Sequence, residues 1–351
     1  MKPSLAFSGT LLLLAPLRAQ DPVFDDFERH VLGPSWTTYS SPAGIVNQSD
    51  LGSATGNWCV GSWTASVFAA DQFSEAELSS DIPAAMLTQV FVRRRASDLA
   101  RYGFHWNGDP GNSRWEIKYD GVPSAQTVIL ASVDAPGPLP GDRIRIEALG
   151  TDPVMLRGFH DGVLKLVGID SSPQRIVATG PAGVVSRPKQ GTSPVAPVAI
   201  FESWSGGSLP VATVYCTAQV NSLGCLSAIG FTGVPSASAG AGFTVTAANV
   251  LSGRPGLLFY GTAPASSPLG GGTLCAGGAL RRTPVQLAGG SATLDCSGSY
   301  AFDFNAWIAS GADPALVPGA EVFAQYYARD PGLPPPGNTH LTDALRFTVR
   351  P

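Results

Sequence analysis

The chain has 351 residues, comfortable for two domains and too long for one ordinary domain. Charged residues make up 14% of it while Gly (41) and Pro (30) abound, which favours short strands joined by turns over long amphipathic helices. The formal net charge is -4 and there is no basic stripe, so nucleic acid is not an expected partner.

Residues 1–20 read as a secretory signal. Lys2 supplies the positive start, Leu5 to Leu17 is largely apolar, and Pro16 closes a run too short to span a bilayer. Cleavage is expected after Ala19 or Gln20. Leu17 leaves the small-residue rule half met. No other segment reads as a membrane span, so the mature protein is expected to be secreted or held at the cell surface.

A first domain is expected over residues 21–207. Strand-like runs follow one another at Asn57 to Trp63, Phe73 to Ser79, Leu87 to Arg95, Arg101 to Trp106, Arg114 to Tyr119, Thr127 to Ser132, Arg143 to Ala148, Val154 to Phe159 and Val163 to Ile169. Asp120-Gly121 and Asp161-Gly162 read as two-residue hairpin turns, because Asp and Gly tolerate positive φ. Arg93-Arg94-Arg95 reads as a strand end with solvated alternate residues, and His160 as an exposed turn residue. Gly180 to Pro197 is rich in Gly, Pro and Ser. Val198 to Phe201 reads as one more strand, and Ser203 to Pro210 as a linker, with Trp204 packed on the first domain. No stretch carries helical periodicity, so an antiparallel sandwich of about a dozen strands is expected.

From Val214 the texture changes, and a second domain is expected over residues 208–351. Its strand candidates are Phe243 to Ala247, Leu257 to Tyr260, Phe302 to Ile308, Val322 to Tyr327 and Leu345 to Val349. Four of the five cysteines lie here: Cys216, Cys225, Cys275 and Cys296. Export implies disulfides. Proximity pairs Cys216 with Cys225 and Cys275 with Cys296, although four cysteines allow three connectivities. Cys59, alone upstream, reads as a buried free thiol. Without Cys-x-x-Cys spacing and with scattered histidines, a zinc site is not expected.

Several segments, in order, resemble the concanavalin A-like lectin/glucanase superfamily in its LamG-like jelly-roll form. They are Asp25-Asp26-Phe27-Glu28-Arg29 with Leu32-Gly33 and Trp36, Gln72 to Leu78, Val90-Phe91-Val92-Arg93, and Tyr102-Gly103-Phe104. Arg114-Trp115-Glu116-Ile117-Lys118, Gly141-Asp142-Arg143-Ile144, Asp161-Gly162 and Phe201-Glu202-Ser203-Trp204 continue the series. The resemblance spans roughly residues 22–206 and implies an all-β, concanavalin A-like jelly-roll sandwich. It implies no activity, because the superfamily holds lectins and hydrolases alike. The second domain resembles a recurrent C-terminal module of secreted bacterial proteins. Tyr215-Cys216, Leu223-Gly224-Cys225, Gly256 to Gly261, Arg282-Thr283-Pro284, Asp303-Phe304-Asn305, Gln325 to Pro331 and Leu341 to Leu345 carry that likeness. It implies a smaller, disulfide-bearing, β-sandwich-like domain with an accessory or surface role.

A glucanase of this fold needs two carboxylates beside the sugar bond, and the related hydrolases carry Glu-x-Asp-x-x-Glu. Glu75-Ala76-Glu77-Leu78-Ser79-Ser80 is the nearest match, and its third position is serine. No serine-hydrolase elbow and no nucleotide-binding glycine motif occurs. No catalytic residue is therefore assigned. Sugar binding needs aromatic faces and planar polar groups, which Trp63, Glu75, Glu77, Arg94 and His105 supply, with Trp106, Trp115 and Lys118 nearby. Trp115 shares a strand face with Ile117 and reads as core. No cofactor or metal is assigned. Calcium is admitted through Asp26 or Asp170, but no Asp-x-Asp-x-Asp loop is present. The leading expectation is a secreted, non-catalytic protein that binds carbohydrate or cell-envelope glycan. The alternatives are a glycoside hydrolase of this fold with atypical catalytic residues, and a structural envelope protein.

Overall fold

The computed structural model describes residues 22–40, 43–46, 50–53, 59–80, 86–108, 111, 113–121, 126–188, 198–335 and 337–351. The secretory segment read over residues 1–20 lies outside the described residues, as does the Cys59 side chain.

The chain is nearly all β. Up to Ser208 the described strands are β1 (Val23–Asp25), β2 (Trp36–Ser40), β3 (Ala43–Val46), β4 (Asp50–Ser53), β5 (Cys59–Trp63), β6 (Gln72–Leu78), β7 (Met86–Val92) and β8 (Arg101–Asn107). They continue with β9 (Arg114–Asp120), β10 (Val128–Val133), β11 (Arg143–Leu149), β12 (Val154–His160), β13 (Val163–Asp170), β14 (Gly183–Pro188) and β15 (Val198–Ser208). Two antiparallel sheets result. Sheet A runs β13-β12-β11-β6-β15-β4-β3, with β1 also on β15, and sheet B runs β10-β9-β8-β7-β14-β5-β2. The chain crosses between sheets at β5, β6 and β7 and again at β13, β14 and β15, as a jelly roll does.

Period-two patterning explains the sandwich. Val90, Val92, Tyr102, Phe104, Trp115 and Ile117 of sheet B share one buried cluster with Ala76, Leu78, Ile144, Ile146, Leu156 and Trp204 of sheet A. Each large side chain so buried stabilises the pair of sheets by about 1.5–3 kcal/mol.

After residue 211 come β16 (Ala212–Tyr215), β17 (Ala228–Thr232), β18 (Thr244–Val250), β19 (Pro255–Gly261), β20 (Ala263–Leu269) and β21 (Gly272–Gly277). Then follow β22 (Arg281–Arg282), β23 (Gln286–Leu287), β24 (Gly298–Asp303), the short helix α1 (Phe304–Ala309), β25 (Glu321–Arg329) and β26 (Thr339–Thr348). The sheet β16-β26-β25-β19-β22 packs on β17-β18-β24 through Phe243, Val245, Leu258, Tyr326, Leu345 and Phe347. The hairpin β20-β21 contributes Ala276 to a second cluster with Phe259, Phe323 and Leu341. Among the described residues no sheet mixes strands from before 209 with strands from after 211.

The structure departs from the sequence expectations at several points. The disulfides are Cys216–Cys275 and Cys225–Cys296, not the two sequence-local pairs. Tertiary packing brings residues 59 and 71 positions apart to Cα separations of 6.4 and 6.3 Å, so chain distance is a poor guide. Ser203–Ser208 is strand rather than linker, because Ser203, Trp204 and Ser205 pair with Glu77, Ala76 and Glu75. Trp204 is buried in the core, as expected.

Asp161-Gly162 makes the expected turn, with φ of 50° and 73°. Asp120-Gly121 does not, because Asp120 is a strand residue opposite Arg101 and β10 begins only at Val128. Phe304–Ala309 is helical rather than extended, started by the Asp303 side chain accepting from Ala306 N. Arg93 is not solvated. At a positive φ of 51° its guanidinium turns inward and donates to the carbonyls of Ile176 and Gly150, at 2.9 and 2.7 Å. His160 is half-buried rather than exposed, with Nε2 2.7 Å from Asp142 Oδ2 and its ring on Trp115.

Candidate functional site

The outer face of sheet B is built by alternation. Strand β9 sends Trp115, Ile117 and Tyr119 into the core. Arg114, Glu116, Lys118 and Asp120 therefore fall on the opposite face. Strand β8 does the same with Arg101, Gly103, His105 and Asn107, and β7 with Gln89 and Phe91. Register then assembles a row, because His105 lies between Gln89 on one neighbour and Glu116 on the other. Gly103 is needed for this row. A Cβ there would stand 2.1 Å from Gln89 Nε2, which instead passes over the glycine and donates to Asp120 Oδ2 at 2.9 Å.

Charge is dense on this face. Arg114 Nε donates to Glu116 Oε1 at 2.8 Å, and Asn107 Nδ2 reaches the same oxygen at 3.4 Å. Lys118 Nζ stands 3.9 Å from both Glu116 Oε2 and Asp120 Oδ1, and Arg101 lies 3.6 Å from Asp120. His105 Nε2 is 3.3 Å from Glu116 Oε2, yet neither ring nitrogen has an aligned hydrogen-bond partner. Arg101 Nε and Ser62 Oγ are likewise buried and unpartnered.

Burial is the main influence on the imidazole. It pushes His105 down to about 4, so the ring is neutral at pH 7. Burial also raises Glu116, but the His105 ring and the Arg114 guanidinium outweigh it and hold the carboxyl down at about 2. A neutral imidazole beside a carboxylate is the pairing these two shifts agree on.

The face is largely covered. His105 is 0% exposed and Gln89 3%, and Val60, Phe91 and Val185 form a buried apolar cluster with Tyr39 against it. Exposure returns at Arg187 and, in part, at Arg114.

The five residues expected to contact a ligand are divided among three places. Trp63 packs into the core beside Trp36 and Trp204, with ring centres 5.6 Å from each. Glu75 and Glu77 lie on the outer face of sheet A, where Glu77 pairs with Arg143 at 2.6 Å and Glu75 with Arg145 at 3.6 Å. Arg94 and His105 alone share the outer face of sheet B. Gln89, Arg101, Glu116, Asp120 and Arg187 were missed there. The strict alternation of Glu116, Lys118 and Asp120 with Trp115, Ile117 and Tyr119 was the available signal.

Asp142, His160 and Asp161 could bring ligand atoms within 4.8 Å of one another. These groups already serve the turn, since Asp142 accepts from Leu139 N and Asp161 from Arg143 N. Asp26 and Asp170, the calcium candidates, are also engaged, with Glu28 N at 3.1 Å and the Tyr102 hydroxyl at 2.6 Å.

No protein-family model and no curated protein matches the chain. Solved structures similar to it include the carbohydrate-binding module CBM66 from Bacillus subtilis, at 13% identity and a TM-score of 0.37, covering 50% of this chain and 96% of that one. The carbohydrate recognition domain of Emp47p is 12% identical, at a TM-score of 0.38, with coverages of 54% and 97%. A β-glucanase of Bacillus licheniformis is 9% identical, also at 0.38, with coverages of 55% and 100%. At these identities and scores the likenesses carry no weight for a ligand or an activity.

Proposed function

We propose that this is an exported, non-catalytic glycan-binding protein in two domains divided near residue 207, with the outer face of strands β7, β8 and β9 as its contact surface. The observation that carries this reading is the row that register assembles on one face, Arg114, Glu116, Lys118 and Asp120 beside His105 and Gln89, open at Arg187 and half-open at Arg114, Lys118 and Asp120. Charged and planar polar groups set in such a row are suited to sugar hydroxyls. The two disulfides agree with export. The second domain is read as an accessory module.

Recognition fits the face better than hydrolysis does. A glycosidase needs one carboxyl kept protonated as an acid, with its partner about 5–9.5 Å away. Glu116 is instead held ionised, and the Lys118 ammonium stands between it and Asp120. A structural envelope role is the second reading, and the buried cluster of Val60, Phe91 and Val185 favours it.

A glycan array of the mature protein, run with and without calcium, tests the proposal. Binding lost in Glu116→Gln and His105→Ala is the expected result. No binding to any glycan would favour the structural role. Release of reducing ends from the bound glycan would mean an enzyme.

A further inference from the structure

The outer face of sheet B carries more positive than negative charge. Arg94 has its guanidinium 3.9 Å from the ring centre of Tyr39, and Arg101 lies 5.6 Å from that of Phe91. Lys118 projects from β9 beside them. Arg187 reaches across from β14, close enough to act electrostatically on both Arg101 and Lys118, after burial and Asp120. With Arg114 these make five cations among the described residues, and Glu116 and Asp120 are the described carboxylates that answer them.

The carboxylates are already used. Glu116 is shared by Arg114, Lys118 and His105, and Asp120 by Arg101, Lys118 and Gln89. Among the described residues neither Arg94 nor Arg187 has a carboxylate at ion-pair distance, and Arg94 is only 4% exposed. A buried guanidinium without a counter-charge is unfavourable, and an anion placed beside it removes that cost.

We propose that this face takes an acidic glycan, with a uronate carboxylate or a sulfate ester seated among Arg94, Arg101, Lys118 and Arg187. The inference rests on the glycan-binding reading above. Planar guanidinium groups match the paired oxygens of both anions.

The test is titration calorimetry of the mature protein against polygalacturonate, carrageenan and neutral laminarin, at low and moderate salt. The expected result is binding to one or both acidic polymers at least about tenfold tighter than to laminarin, and weaker in salt. Polygalacturonate alone would identify the carboxylate, and carrageenan alone the sulfate. Arg187→Gln, at an exposed position, should keep the wild-type melting temperature and lose about tenfold in affinity for the acidic polymer. Equal binding of laminarin, unchanged in Arg187→Gln, would overturn the acidic preference and leave the glycan site standing. Failure of all three polymers would overturn both. A single-stranded DNA oligonucleotide bound more tightly than either acidic polymer would replace the glycan with a nucleic acid.

Discussion

The imidazole of His105 holds Nε2 3.3 Å from Oε2 of Glu116, its register partner on β9, and both side chains are buried. This pair makes stability depend on pH. His105 titrates near 4 in the folded chain against an ordinary 6.5, so the unfolded chain takes up its proton first as pH falls. Stability is therefore lost from pH 6.5 down to about 4. Glu116 acts in the same direction lower down, from 4.5 towards 2. The melting temperature should fall across both windows. His105→Asn should flatten the upper one. His340, also lowered by burial, adds to that window, so the difference between wild type and variant is the readout. An identical pH profile in the two proteins would contradict the neutral buried ring.

Glu77 and Glu147 both pair with arginines on sheet A, yet they should respond differently to substitution. Glu77 faces Arg143, whose side chain is 57% exposed, so Glu77→Gln should cost under about 1 kcal/mol. Glu147 is 6% exposed and accepts from Arg157 Nε at 2.9 Å and Arg145 Nε at 2.9 Å. Glu147→Gln strands a buried guanidinium and should cost about 3 kcal/mol. Denaturant midpoints of the two variants, measured side by side, decide the order.

The disulfides cross rather than nest, so Cys216–Cys275 and Cys225–Cys296 each close a long stretch of chain. By loop-closure entropy each contributes about 4 kcal/mol. A non-reducing peptide map should recover these two links. A Cys216–Cys225 peptide would contradict the packing that sets Cys216, just after β16, beside Cys275 on β21. Cys225→Ser with Cys296→Ser should lower the melting temperature without altering glycan binding.

The sandwich was legible where side-chain alternation was strong. Arg101 to Trp106, Arg114 to Tyr119 and Arg143 to Ala148 read directly as strands, because one face is apolar and the other charged. Ala228–Thr232 and Gly272–Gly277 were missed because both are short and hold glycines, which read as turn signals. The site was only half legible. Alternation tells which residues share a face of one strand, but not which of two sheets the strand joins. Glu75 and His105 therefore looked like neighbours, while β6 lies in sheet A and β8 in sheet B. Arg187 was hidden for another reason: it sits in a stretch whose Gly, Pro and Ser content reads as loop.

The penultimate residue ties the second group of sheets to the first. Arg350 Nη2 lies 2.7 Å from Asp71 Oδ2, just ahead of β6, and both side chains are largely buried. Arg350 is fixed on its own side, with backbone N donating to Pro235 O at 3.0 Å and its carbonyl accepting from Ala237 N at 2.8 Å. Asp71 serves more than one partner. Its Oδ1 accepts from Gly150 N at 2.8 Å and stands 3.5 Å from Arg93, whose side chain is fully buried. Removing either member of the pair should therefore have unequal effects. Arg350→Ala leaves Asp71 with Gly150 and Arg93, and should cost about 1–3 kcal/mol. Its further signature should be faster proteolysis at residues 209–211, where the chain passes between the two groups of sheets. Asp71→Asn withdraws the carboxylate from Arg93 as well as from Arg350, and should cost about 3–5 kcal/mol. The carbonyls of Ile176 and Gly150 still accept from Arg93, which keeps the variant foldable. Urea denaturation of both variants with limited proteinase K digestion is the measurement. A loss in Asp71→Asn alone, with Arg350→Ala unchanged in stability and in cleavage at 209–211, would mean that Asp71 serves Arg93 alone and that Arg350 joins nothing.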